Sequence, residues 1–198
     1  EEAARAFGEI MAGAAGPASL GALLLALRTR GESAEEIAGA VRALREAMRR
    51  VDHPTPDALV DTCGTGGGKV TTLNLSTAAA FVAAGAGVPV AKHGNRSFTS
   101  KSGSADVLEA LGVGIELTPE RAAEVLAATG IVFLYAPSYH PAMRHVAPVR
   151  RELGVPTVMN LVGPLANPAL AGRQVVGVAD IDRAPRMAGA LARLGSTH

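Results

Sequence analysis

The chain has 198 residues, enough for one large domain or for one domain with a small companion. Nineteen basic residues face 18 acidic ones, and the net charge of +1 excludes a global pull toward nucleic acid or an acidic membrane surface. One cysteine, Cys63, excludes a disulfide framework and a paired-cysteine metal site. With 48% apolar residues, a chain this long is expected to bury roughly 70% of its unfolded surface. The acidic start and the single thiol fit a reducing, cytoplasmic setting without a secretory signal. The longest apolar run, 78–91, is interrupted by glycines and Pro89 and is too short to cross a bilayer.

Residues 1–52 read as helices only. Phe7, Ile10 and Met11 recur at helical spacing, as do Leu20, Leu23, Leu24 and Leu27, with Gly31 as a stop. Ser33 followed by Glu36 is a capping box, and Ile37, Val41, Leu44 and Met48 mark one apolar stripe. Arg42, Arg45, Glu46, Arg49 and Arg50 fall mostly off it and read as a solvated face. A two-proline linker, 51–57, ends this regime. Short apolar runs then follow at 58–62, 88–92, 113–117, 131–135, 157–161 and 175–179. Between them lie candidate helices near 76–86, 104–111, 119–129, 139–153 and 183–194. Thr118-Pro119 is a helix start and Gly130 a stop. The expected fold is α/β over 57–198, a mainly parallel sheet flanked by helices, with a small all-helical N-terminal domain.

DTCGTGGGKVTTLNLSTAA, residues 61–79, joins a strand to a helix through Gly64, Gly66, Gly67 and Gly68. Glycines let main-chain N–H groups converge on an anion, and a helix starting near Ser76 adds its own unpaired N–H groups. A dinucleotide fingerprint is excluded because position 69 is Lys69, and a triphosphate loop because positions 63 and 70 are Cys63 and Val70. AKHGNRSFTSKSGSAD, residues 91–106, follows the next strand and holds Lys92, His93, Asn95, Arg96 and Lys101 with five hydroxyls: Ser97, Thr99, Ser100, Ser102 and Ser104. Both loops leave the carboxyl edge of a parallel sheet, where ligands of such folds sit. Together they suit a polyanion rich in hydroxyls. His140 and His145 are five apart, off the spacing that places two ligands on one helix face, so a zinc site is not expected.

These two stretches, with HPAMRHVAPVRRELG (140–154) and NLVGPLANP (160–168), resemble the anthranilate phosphoribosyltransferase family in order and spacing, and GESAEEIAGAVRALREAM resembles its N-terminal domain. The resemblance implies transfer of the 5-phosphoribosyl group from phosphoribosyl pyrophosphate to the amine of anthranilate, with Mg²⁺, in tryptophan biosynthesis. It implies phosphoribosyl pyrophosphate contacts at Gly64, Gly67, Gly68, Thr72, Asn74, Leu75, Ser76, Thr77, Lys92, Ser100 and Ser104, with Ser76 also touching magnesium. For anthranilate it implies Gly64, His93, Asn95, His140, Arg150 and Gly163. Lys92, Arg150 and His93 would serve the chemistry, His93 as a proton acceptor. Arg150 also makes chemical sense, since a guanidinium pairs with a planar carboxylate. The resemblance further implies that 139–154 packs back on the helical domain. It also implies a homodimer through that domain, with the leucines of 20–27 serving either the interface or the core. No nucleic-acid or membrane partner is expected.

The family's usual aspartate and glycine after GTGG are here Gly68 and Lys69, which implies weaker demand for magnesium at this loop. Family members also continue into an Asp-Glu pair that ligates magnesium, so the chain is expected to be part of a longer one. Two other readings stay open: a pyrimidine nucleoside phosphorylase of the same architecture, and a non-catalytic relative that binds nucleic acid. Near-neutral charge and 3% aromatic residues weigh against the latter.

Overall fold

A computed structural model describes residues 1–67, 73–97 and 102–198. The helices α1 (Glu2–Met11), α2 (Pro17–Arg30) and α3 (Ala34–Glu46) come first. Ser33 Oγ accepts from Glu36 N at 3.2 Å while Glu36 Oε2 accepts from Ser33 N at 2.9 Å, so the capping box closes as expected. Gly31 ends α2 at φ 85°, a backbone angle that disfavours any residue with a Cβ. Leu20, Leu24 and Leu27 are buried in the core, which removes them from any outer interface. Arg45 is not on a solvated face either: its half-buried guanidinium donates to the Leu165 carbonyl at 3.0 and 2.7 Å, tying α3 to the later helices.

The sheet contains β1 (Val60–Gly64), β2 (Val90–Gly94), β3 (Ile131–Tyr135) and β4 (Arg173–Gly177), all parallel, in the order β3-β2-β1-β4. Between β1 and β2 runs α4 (Leu75–Gly85), and between β2 and β3 run α5 (Ser104–Ala110) and α6 (Pro119–Thr129). Three short helices, α7 (Ala136–Tyr139), α8 (Ala147–Leu153) and α9 (Val158–Val162), separate β3 from β4, and α10 (Ala184–Arg193) follows β4. Thr118 caps α6, and Gly130 closes it at φ 74°. One core joins α1–α3 to Ala142, Val146, Val149, Val158, Leu161 and Met187. A second lies under the sheet, where Leu59, Ala91, Val132 and Leu134 pack against Ala122, Leu126 and Tyr139.

Two expected strands are absent. In 113–117 only Ile115 is buried, so the run anchors to the side of the sheet without a ladder. Residues 157–161 are helical instead: the Asn160 side chain accepts from Thr157 N at 3.0 Å, and Val158, Met159, Leu161 and Val162 are all buried. A short apolar run buried on every side shows no period, so strand and helix look alike in sequence. The expected helix 139–153 is broken, because Pro141 and Pro148 each open a fresh turn. β1 and β2 sit two residues later than read, and β4 two residues earlier.

Candidate functional site

The paired ends of the strands define one edge: Gly64 lies beside Gly177, and Gly94 beside Tyr135. A Cβ on Gly64 would approach the Gly177 carbonyl to 3.0 Å, so a side chain here would crowd the β1–β4 packing. Gly66 and Gly67 have φ of 66° and 75°, in the left-handed region that favours glycine. Thr65 fixes the turn through Thr65 N to Gly177 O at 2.9 Å and Ala179 N to Thr65 Oγ1 at 3.1 Å. The N-cap residue of α4, Asn74, makes no side-chain cap hydrogen bond among the described residues. The Ser76 carbonyl of this helix accepts from Thr62 Oγ1 at 2.7 Å, and Thr77 is buried. Asn74 and the exposed Leu75 open the helix. Gly68, Lys69, Thr72, Thr99, Ser100 and Lys101 lie outside the described residues.

Lys92 is 4% exposed, and its ammonium donates to the Thr62 carbonyl. Burial pulls its pKa down, and Asp61 on β1 opposes that pull. Next to it, His93 Nε2 lies 3.2 Å from His140 Nε2. Burial holds the His93 imidazole well below its usual range and His140 down to about 4, so both rings are neutral at pH 7. The Gly163 backbone also hydrogen-bonds to His93, which brings His93, His140 and Gly163 together. Cys63 is buried and its thiol is pushed well above its usual range, so it offers no nucleophile.

Arg96 does not join this cleft. It reaches away to Glu109, with Arg96 Nη2 to Glu109 Oε1 at 2.7 Å and Nε to Tyr135 Oη at 3.2 Å, and it lies over the Tyr135 ring. Asp106 gathers the loop by accepting from Ser97 N at 3.1 Å and Gly103 N at 2.7 Å. Ser104 Oγ donates to the Asn95 carbonyl at 3.2 Å, and the Asn95 side chain accepts from Arg96 N at 2.7 Å. Arg150, on α8, is half-buried; its Nη2 lies 3.4 Å from Asn160 Oδ1, and burial lowers its pKa. Among the described residues, neither Asn95 nor Arg150 hydrogen-bonds to the histidine cluster.

Magnesium needs several oxygen ligands, carboxylates or phosphates above all. Among the described residues no three His, Cys, Asp or Glu side chains gather as a metal site, so these residues do not hold the ion by themselves. Among the same residues no helix is long and apolar enough to cross a membrane. Sequence reasoning passed over Asp61 and Asn167, both buried between β1 and β2. The signal was there: a lone acid inside an apolar strand run is expensive to bury without a purpose.

A model of the glycosyl transferase family a/b domain matches residues 56–198, and one of the family's helical bundle domain matches residues 1–48. The chain is 57% identical to the anthranilate phosphoribosyltransferase of Rubrobacter xylanophilus, over 98% of this chain and 56% of that one. The crystal structure of the enzyme of that name from Thermus thermophilus aligns with a TM-score of 0.92 at 52% identity, covering 98% of this chain and 59% of that one. The Saccharomyces cerevisiae enzyme in complex with phosphoribosyl pyrophosphate and Mg aligns with a TM-score of 0.82 at 36% identity, over 91% of this chain and 51% of that one. In complex with 4-fluoroanthranilate it gives 0.82 at 30%, over 98% and 56%. The chain thus spans a little over half the length of the relatives it matches. It belongs to the glycosyl transferase family that joins a helical bundle to an α/β domain, and the relatives it matches are anthranilate phosphoribosyltransferases.

Proposed function

We propose that this chain supplies the phosphoribosyl pyrophosphate cleft, and much of the anthranilate pocket, of an anthranilate phosphoribosyltransferase. The observation that carries the reading is the juxtaposition of the glycine turn at Gly64–Gly67 with the buried ammonium of Lys92 at one strand edge. The names of the relatives, and the ligands in the yeast structures, agree with it.

The reaction is displacement at the anomeric carbon. The C1′–O bond to pyrophosphate breaks and its electron pair leaves with pyrophosphate. The anthranilate nitrogen forms the new C1′–N bond and then loses a proton. Glycine-turn amides, the α4 N-terminus and Lys92 would stabilise the departing negative charge. Asn74, Leu75, Ser76, Thr77 and Ser104 would line the same substrate. Lys92 must leave the Thr62 carbonyl to reach it. Arg150 would pair with the anthranilate carboxylate, and His93, His140, Asn95 and Gly163 would shape the pocket. A neutral His93 already bonded to His140 is a weak proton acceptor, so positioning carries most of the acceleration. Ser76 would help to hold magnesium, which would supply further charge neutralisation when bound. The same reading places the enzyme in tryptophan biosynthesis, in the cytoplasm, as a homodimer through the helical domain.

The test follows anthranilate fluorescence in the full-length protein. Loss that depends on phosphoribosyl pyrophosphate supports the reading. Turnover of a pyrimidine nucleoside with phosphate, with anthranilate untouched, would replace it with the phosphorylase.

A further inference from the structure

The sheet is not evenly zipped. β1–β4 and β2–β3 are paired from end to end, whereas β1 and β2 share one paired position, Val60 with Val90. Beyond that point the facing main-chain groups turn to side chains. His93 N donates to Asp61 Oδ1 at 3.0 Å, Asn167 Nδ2 donates to the Ala91 carbonyl at 2.7 Å, and Lys92 takes the Thr62 carbonyl. Asp61 is fully buried, with Gln174 Nε2 3.5 Å from its other oxygen. Buried main-chain groups must find partners, and here three polar side chains stand in for a strand ladder. The two strands from which the candidate loops depart are thereby held apart.

We propose that Asp61 is a positioning residue: it accepts the His93 main-chain N–H in place of a neighbouring strand, and it is the counter-charge of the Lys92 ammonium while the cleft holds no anion. This deepens the phosphoribosyltransferase reading and rests on it. The titratable groups facing Lys92 are Asp61 and Cys63 on β1 and His93 on its own strand, with His140 behind His93. The thiol and both imidazoles are neutral at pH 7, and burial raises the Asp61 carboxyl while the Lys92 ammonium opposes that rise, so each of the two groups favours the charged form of the other without a direct ion pair. An isolated buried ammonium would shed its proton. With Asp61 present, Lys92 keeps its charge on a weak carbonyl contact that an arriving diphosphate can displace.

Asp61→Asn separates the two duties, since the amide oxygen still accepts from His93 N but carries no charge. Lysine-selective labelling of the full-length protein, compared with its Lys92→Met variant, identifies the Lys92 resonance. In Asp61→Asn the Lys92 titration moves to lower pH, while Asp61→Glu keeps it near wild type. Reciprocally, Lys92→Met moves the Asp61 carboxyl titration to higher pH, a measurement that needs no change at Asp61. Binding of pyrophosphate gives a signature that a purely structural role lacks. At the acidic end Asp61→Asn binds as tightly as wild type or more tightly, because a buried negative charge is gone; as pH rises it falls about threefold or more below wild type, because its Lys92 loses the proton at lower pH. Lys92 and Asp61 titrations each indifferent to the other residue overturn the proposal, as does a wild-type-to-variant affinity ratio that is flat with pH. If wild-type protein fails to bind pyrophosphate at all, the functional reading falls, and the two titrations alone then decide the coupling.

Discussion

His93 and His140 face each other through Nε2 atoms 3.2 Å apart, with ring centroids separated by 5.0 Å and planes tilted by 58°. One ring must donate and the other accept, so the two cannot both be protonated, and as neutral rings they take opposite roles. In the unfolded chain both histidines return to their ordinary pKa near 6.5. The unfolded state therefore binds more protons between pH 6.5 and the folded value of about 4 for His140. The stability from this pair is fully present above pH 6.5 and fades as pH falls toward 4. His140→Gln removes one titrating ring, so its denaturation free energy drops less between pH 7.5 and 4.5, by about 2–3 kcal/mol. Urea melts at both pH values check this. Parallel losses in both proteins would show that the pair is not buried neutral.

Asn167 joins the β1–β2 gap to the chain before β4. Its Nδ2 donates to the Ala91 carbonyl at 2.7 Å and its Oδ1 accepts from Ala169 N at 2.8 Å. Asn167→Ala leaves both groups buried without partners, and a loss of about 2–4 kcal/mol is expected. Asn167→Asp recovers the Ala169 bond alone and adds a carboxylate near Asp61, so it does no better than alanine.

Gly103 is a packing glycine. A Cβ there would stand 2.5 Å from Ser97 N and 2.8 Å from the Asn95 carbonyl oxygen, both main-chain atoms that cannot rotate away. Gly103→Ala therefore pushes Gly103 away from Asn95 and Ser97 and costs about 1–3 kcal/mol. Gly66→Ala meets no neighbour, and its penalty is the left-handed backbone alone, about 1 kcal/mol. Thermal melts of the two variants separate crowding from conformation.

Lys92 and Arg96 sit four residues apart and have opposite duties. Lys92 is buried on a displaceable carbonyl contact, whereas Arg96 is committed to Glu109 and Tyr135. Lys92→Ala weakens pyrophosphate binding by about 10- to 100-fold, the loss of one charge-assisted contact. Arg96→Ala leaves it within about threefold, since exposed pairs contribute little. Calorimetric titration with pyrophosphate checks both. Equal losses in the two variants would mean that Arg96 swings into the cleft.

Much of this architecture was legible in residues. The capping box at Ser33 and Glu36 and the stops at Gly31 and Gly130 appear where pattern and turn chemistry put them, and four of the six expected strand runs form strands within two residues of their place. Residues 157–161 did not, because α9 is buried on every side and shows no helical period. In the candidate site, the composition of the two loops was readable, but the division of labour inside them was not. Nothing in KHGNR says that Lys92 turns inward while Arg96 turns outward; Glu109 and Tyr135 decide that from distant positions. Nor does the sequence show that β1 and β2 part after one pair, which gives Asp61 and Asn167 their partners.

The most direct test is a crystal of the protein soaked with phosphoribosyl pyrophosphate. The account predicts the diphosphate between the main-chain nitrogens of the Gly64–Gly67 turn and the Lys92 ammonium, with Lys92 withdrawn from the Thr62 carbonyl. A diphosphate bound elsewhere, for example in the cavity of about 410 Å³ lined by Arg42, Arg45, Arg50 and Arg193, with Lys92 still on Thr62, would contradict it.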